Sequence, residues 1–285
     1  MKRLAALILI AIFAIGALAS CADDVTTSPE TTAETTTAEP EPTPTPKTVK
    51  LRIGSYNIAN GKKVNHDLSV IAQDIIDNKL DIVGLQEVDR FASRSKFIDT
   101  AKDLAALTGL EYYYYTKAIN IAGDEAKYGT KGEYGTCILS RYPITTSESI
   151  QLFSGGKEQR MLSCVEIDVD GTTINFVNTH LSYELALIRQ RQFEALAERV
   201  SGKEYCIVTG DFNISSFDDF APVDFLTKAC TEQGKPITFP SSKTTIDNIL
   251  FSEEFTLVSR ASVVSDHSDH YMLWAELEFT VMVIE

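Results

Sequence analysis

Beyond residue 48 the hydrophobic positions follow two rhythms. Val49, Leu51 and Ile53 are separated by single polar residues, the period of a strand with one face in a core. Leu68, Ile71, Ala72, Ile75 and Ile76 recur at helical spacing and predict an amphipathic helix. A short buried strand is expected over 81–85 and a second helix over about 97–107, stopped by Gly109. Strand-like runs follow at 111–117, 136–139, 161–169 and 172–177. A helix is expected over 184–200, with short strands at 205–209 and 245–251. Leu273, Ala275, Leu277, Phe279 and Val281 alternate as a closing strand. Strands and helices mixed in this way, without an internal repeat, predict one α/β domain over 49–285.

The first 48 residues keep neither rhythm. Lys2 and Arg3 precede an unbroken apolar run from Leu4 to Ala19, too short to span a bilayer comfortably, since that takes roughly 20 residues. A secretory signal over 1–20 is therefore expected. Leu18-Ala19-Ser20-Cys21 resembles a bacterial lipobox, which implies lipidation of Cys21; plain cleavage beside an incidental Cys is the alternative. Residues 21–48 hold ten Thr and five of the nine Pro, with almost no large apolar side chain. That composition cannot bury a core, so it predicts a solvated stalk holding the domain away from a membrane.

Composition narrows the function. The 285 residues are 44% hydrophobic and 23% charged, which excludes a wholly disordered, collagenous or multi-span membrane chain. The net charge is −14; the leader carries +2 and the stretch through Lys50 carries −4, which leaves −12 on the rest. Proteins that coat duplex DNA carry the opposite balance, because binding releases counterions through Lys and Arg. An enzyme whose bound metal supplies positive charge locally is still compatible with this charge. Cys137, Cys164, Cys206 and Cys230 lie far apart, and their spacing does not decide whether any of them pair. The run Tyr112–Tyr115 fits either base stacking or a strand with aromatics on both faces; without basic neighbours the strand is the better reading.

Polar residues stand immediately after the apolar runs. Asn57 follows the first strand, and Gln86-Glu87 ends the second. Asn178-Thr179-His180 and Gly210-Asp211-Phe212-Asn213 end two more, and Asp269-His270 precedes the last. Strand ends of α/β proteins meet at one rim, so carboxylates, amides and imidazoles from distant segments converge there. Such a set suits Mg²⁺ or Mn²⁺, which prefer oxygen ligands, and lacks the close Cys and His pairs of structural zinc. Singly, each has an ordinary alternative: a solvated Glu, a Gly-Asp-Phe-Asn turn, a partly buried His.

Taken in order, these residues resemble the endonuclease/exonuclease/phosphatase superfamily. The resemblance runs from Ser55-Tyr56-Asn57 to Ser268-Asp269-His270-Tyr271. It passes through Leu85-Gln86-Glu87-Val88-Asp89, Tyr134-Gly135, Leu139-Ser140-Arg141-Tyr142-Pro143, Asn178-Thr179-His180-Leu181, Gly210-Asp211-Phe212-Asn213 and Ile246-Asp247. It implies a four-layer sandwich of two mixed β-sheets flanked by helices. It also implies a metal held by Glu87 with Asn57 and Asp269, and an attacking water activated by Asp211. Asn213, His180 and Tyr134 would contact the phosphate, and His270, oriented by Asp247, would neutralise its charge. Two departures stand out. Ser265-Asp266-His267 duplicates the closing motif, so Asp266 and His267 are competing ligand candidates. Thr244-Thr245 stand where relatives often carry a basic residue, which weakens the case for contacts to a highly charged substrate. Arg90, Arg94 and Arg160 are the candidates for positive charge near the site.

The expected protein is thus a monomeric, lipid-anchored, extracytoplasmic, Mg²⁺-dependent phosphodiesterase acting on a small or lipid phosphoester. Nuclease action is the alternative, disfavoured by charge. A non-catalytic binding module on the same fold is a second alternative, which the presence of Glu87, His180, Asp211 and His270 disfavours.

Overall fold

The computed structural model describes residues 44–283; the expected leader, Cys21 and the stalk through residue 43 lie outside them. In chain order the elements begin with β1 (Thr45–Asn57), α1 (Leu68–Asp77), β2 (Ile82–Arg90), α2 (Thr100–Thr108) and β3 (Tyr112–Ile121). Next come α3 (Glu125–Tyr128), β4 (Gly132–Ser140), β5 (Ile144–Gln151), β6 (Met161–Val169) and β7 (Thr172–His180). The chain continues through α4 (Ala186–Val200), β8 (Cys206–Asp211), β9 (Thr227–Lys228), β10 (Asp247–Phe251), β11 (Thr256–Val263) and β12 (Met272–Val283). The strands form two six-stranded sheets, ordered β11-β12-β1-β2-β4-β3 and β5-β6-β7-β8-β10-β9.

Three apolar layers hold four structural layers together. Ile53, Ile82, Ile138, Phe176, Ile207 and Ala275 fill the space between the sheets. Ile71, Ile75, Val83, Leu85 and Leu104 pack α1 and α2 on the first sheet. Phe193, Leu196, Val208 and Phe212 pack α4 on the second. The expected four-layer sandwich is the one observed. Central strands are covered on both faces, which is why 82–85 reads as an apolar run rather than an alternation.

Local signals explain the helix ends. Asp67 caps α1 by accepting from Ser69 N at 3.1 Å, and Gly109 closes α2 with a φ of +71°. Among the described residues no helix is long and apolar enough to cross a membrane.

Three features depart from the sequence expectation. First, β1 begins at Thr45, so the last stalk residues pair with the end of β12, with Thr45 opposite Val283. β2 joins β1 only from Ile53 on, so Pro46 has a neighbouring strand on one side alone and its missing N–H leaves no gap in a ladder. Second, β5 and β11 carry no clear apolar pattern because they are edge strands, β5 largely exposed and β11 half-buried. Third, β2 continues past Leu85 to Arg90, through a register slip between Gln86 and Val88.

The tyrosine run lies in β3, also an edge strand, with Tyr114 packed toward the inter-sheet core and Tyr115 toward the helix layer. It is a strand with aromatics on both faces. Cys137, Cys164, Cys206 and Cys230 are free and buried.

A polar tie crosses the core beneath the site. Asn178 Oδ1 accepts from Gln86 Nε2 (2.7 Å) and Thr209 Oγ1 (3.1 Å), while its Nδ2 donates to the carbonyls of Leu85 (2.9 Å) and Cys137 (3.0 Å). Gly84 faces it, and a Cβ there would collide with Thr209 and Asn178. Asn178→Ala strands these buried partners and is expected to cost roughly 3 kcal/mol, read as a lower urea midpoint. An unchanged midpoint would refute the tie.

Candidate active site

Each sheet contains one parallel pair, β1–β2 and β7–β8, and the pairs face each other across the core. Their carboxyl ends therefore open at one rim. Asn57 ends β1 and its Nδ2 donates across the sheets to Asp211 Oδ2, the last residue of β8, at 3.0 Å. The same amide donates to Glu87 Oε1 at 3.1 Å. Asn57 is fixed in turn, since its Oδ1 accepts from Ala59 N at 3.0 Å.

Glu87 is the extra residue of the bulge in β2, with a φ of +57°. A left-handed non-glycine residue costs about 1–3 kcal/mol, and its cost is held here by the paired strand on either side. Asn213 is likewise left-handed (φ +50°), just past Asp211; its Nδ2 donates to the Leu181 carbonyl at 3.0 Å and its N–H to Asp211 Oδ1 at 3.1 Å.

Two buried imidazoles flank Asp211 Oδ2, His180 Nε2 at 3.4 Å and His270 Nε2 at 3.6 Å. Their charge states differ. His270 Nδ1 bonds Asp247 Oδ2 at 2.9 Å; burial opposes its protonation, but Asp247 and Asp211 outweigh burial and raise its pKa, so it is an imidazolium. Burial, then the charges of Arg160 and His270, hold the His180 pKa well below the usual range, so it is neutral. Arg160 lies 2.8 Å from His180 Nδ1 and can only donate. Nδ1 is therefore the acceptor, and the ring proton sits on Nε2 beside Asp211. Burial raises the pKa of Asp211, partly offset by His270.

Arg160 is the residue whose role sequence reasoning missed. It is 4% exposed, pairs with Glu158 at 3.1 Å, and its Nε has no partner among the described residues. It also shares a small cavity with Tyr134 in β4, whose burial keeps the phenol protonated. The signal was available: Arg160 directly precedes β6, which pairs antiparallel with β7, the strand ending in His180. Arg160→Met is expected to release the His180 tautomer, giving a second imidazole nitrogen pattern in ¹⁵N spectra, with turnover lower by about 10- to 100-fold. A single unchanged tautomer would overturn the assignment.

The other candidates separate clearly. Arg94 forks onto the buried Asp89 (2.8 Å twice) and lies over the Tyr134 ring, and Arg90 pairs with Asp99 and Glu133. Of the duplicated motif, His267 turns away to Asp74 in α1 (2.9 Å), and Asp266 is exposed. Ser268 locks the second copy in place by donating to the Asn57 carbonyl at 2.7 Å. Asp269 is exposed at the mouth, close enough for its charge to raise the Glu87 pKa, on which burial acts most.

The donor set fits a divalent cation. Glu87, Asp211, Asp247 and Asp269 face one imidazolium, so negative charge is in excess, and Asp247 Oδ1 is buried without a partner among the described residues. Ligand atoms of Asp211, Asp247 and His270 come within 4.8 Å of one another. His270 Nδ1 is consumed by Asp247, so that trio forms a hydrogen-bonded chain, and the oxygens of Glu87 and Asp269 remain for the ion; Asn57, expected as a ligand, turns its Oδ1 to Ala59 N and its Nδ2 to Glu87, so it positions that carboxylate instead.

The profile of the Endonuclease/Exonuclease/phosphatase family matches residues 54–270, from the strand bearing Asn57 to His270. The chain belongs to this family. A Caenorhabditis elegans protein named "Putative neutral sphingomyelinase" is 29% identical over 178 residues, which cover 54% of this chain and 37% of that protein. The chain thus spans little more than a third of that relative. Among solved structures, an endonuclease/exonuclease/phosphatase from Beutenbergia cavernae aligns with a TM-score of 0.67 at 21% identity, over 81% of this chain and 72% of that one. A Bacteroides thetaiotaomicron mannosyl-6-phosphatase gives 0.56 at 21% identity, over 80% and 99%. D. rerio TDP2 complexed with a single-strand DNA product gives 0.59 at 19% identity, over 80% and 98%. At these identities the structures establish a shared fold.

Proposed function

We propose that this family member is a Mg²⁺-dependent phosphodiesterase, with Mn²⁺ as a substitute, acting on a small or lipid phosphoester. We further propose that it works outside the cytoplasm as a monomer tethered through lipidated Cys21. The observation that carries the catalytic reading is the pair of buried imidazoles that flank Asp211 Oδ2 at 3.4 and 3.6 Å.

Phosphoryl transfer needs in-line positioning and charge neutralisation more than covalent help. Glu87, kept in place by Asn57, and Asp269 would hold the ion, which when bound supplies a Lewis acid and a fixed positive charge. Asp211, held by Asn57, accepts the proton of the attacking water. Neutral His180 donates from Nε2 and Tyr134 from its hydroxyl toward phosphoryl oxygens. The His270 imidazolium, fixed by Asp247, neutralises the charge that builds on the phosphate.

The charge of −12 on residues from Leu51 on, with Arg90 and Arg94 spent on internal ion pairs, favours small or lipid phosphoesters over nucleic acid.

The test is hydrolysis of bis-p-nitrophenyl phosphate with Mg²⁺ or Mn²⁺, then with chelator. Turnover is expected to fall at least about 100-fold on chelation and to return with added ion. Turnover that survives chelation would remove the metal from the mechanism. No turnover with either ion, together with no calorimetric ion binding, would leave a binding module.

A further inference from the structure

The segments that deliver Asn213 and Asp247 run on into a polar cleft of about 400 Å³, lined by residues 214–218, Glu232, Lys235 and 243–246. Its floor is continuous with the catalytic rim, because Asp247 pairs with Asp211 and Phe212 N donates to the Ile246 carbonyl at 2.9 Å. A tight hairpin joins the two places. Phe239 packs its ring, tilted by 43°, against the His270 ring with centroids 4.8 Å apart and pairs its backbone with Thr244, while Lys243 at the tip lines the cleft.

We propose that this cleft is the subsite for the retained arm of the diester, and that it selects a polyol (sugar, inositol or glycerol type) over choline. The inference rests on the phosphodiesterase reading and names the substrate class for it. Hydroxyl groups are recognised by donors and acceptors that alternate, and the cleft supplies both. The Ser215 hydroxyl oxygen already accepts from Arg189 (2.5 Å) and that of Ser216 from Asp218 N (3.0 Å), so both protons are free to donate. Asp218 and Lys243 have no ion-pair partner among the described residues, and they offer an acceptor and a donor on opposite loops.

The same groups argue against a quaternary ammonium. Such a cation seeks an open aromatic face, but the Lys235 ammonium already lies 5.0 Å over the Phe217 ring while pairing with Glu232 at 2.7 Å. Choline would meet two lysines there. Two acids balance those lysines, so the cleft does not attract a polyphosphate either.

Two chromogenic diesters with the same leaving group separate the alternatives, 4-nitrophenyl myo-inositol 1-phosphate and 4-nitrophenylphosphorylcholine. In both, water oxygen bonds to phosphorus and the P–O bond to nitrophenolate breaks. The leaving group takes the electron pair, and the water proton passes to Asp211. The inositol diester is expected to have a kcat/KM about tenfold above the choline diester. The double variant Asp218→Ala/Lys243→Ala should abolish that preference.

Equal or reversed preference, or a preference that survives the double variant, overturns the proposal while the diester reading stands. If bis-p-nitrophenyl phosphate is not cleaved, the diester reading has failed instead. Calorimetry with myo-inositol 1-phosphate and phosphocholine then decides the cleft: tighter inositol phosphate binding, lost in the double variant, supports it, and any other result overturns it.

Discussion

Replacing Asp211 by Asn is expected to lower turnover of bis-p-nitrophenyl phosphate by about 10³- to 10⁴-fold without weakening the fold. Asp211 is 2% exposed, and burial already disfavours its charged form. Asn keeps the shape and removes the desolvation cost, but it cannot take a proton from water. Asn57 Nδ2 would still find an oxygen acceptor at the same place, and loss of the Asn213 N–H bond to Oδ1 is offset by the relieved desolvation. The informative outcome is therefore a split: kcat collapses while the urea midpoint holds or rises. Parallel loss of both would mean that Asp211 is a structural carboxylate and that the water is activated elsewhere.

The second large effect is expected at the Asp247–His270 pair. Asp247 is 1% exposed, and its Oδ2 is bonded only to His270 among the described residues, while Oδ1 has no partner. His270→Ala thus leaves a bare buried carboxylate, at a cost of roughly 3 kcal/mol, and removes the imidazolium facing Asp211. Turnover should drop about 10³-fold. Asp247→Asn with His270→Ala together should recover much of the lost stability, because no uncompensated charge remains, yet recover no turnover. Residues that act as one unit give such non-additive kinetics. Multiplicative losses in kcat across the double variant would instead separate the two residues into independent roles.

Much of the site could be read from the chain because strand ends are local events. Apolar runs that stop at Asn57, His180 and Asp211 mark where strands reach the rim, and the period of a strand does not depend on its partners. β6 is read at its observed bounds, and α1 and α4 nearly so, for the same reason: their apolar spacing is a property of the segment itself. The strand expected over 81–85 fell short because polar Gln86-Glu87 ended the apolar signal, whereas pairing with β4 carries β2 on to Arg90. Asn178 looked like a rim residue beside His180; the two share a face of β7, but Asn178 lies two residues deeper along the strand, so it ties the sheets beneath the rim.

By itself, then, the sequence determined the element types, the family and which polar side chains gather at the rim, Glu87, His180, Asp211, Asp247 and His270 among them. The tertiary structure alone decided how those groups are used. It gave His270 rather than His267 to the site, because His267 meets Asp74 on α1, almost two hundred residues away along the chain. It set the proton of His180 through Arg160, and it turned Glu87 into a left-handed bulge opposite Asn57. Those outcomes depend on register between strands and on charges brought together across two sheets. Hydrophobic period is a one-dimensional property that a sequence carries openly; tautomer, charge state and bulge are set by neighbours that only folding supplies.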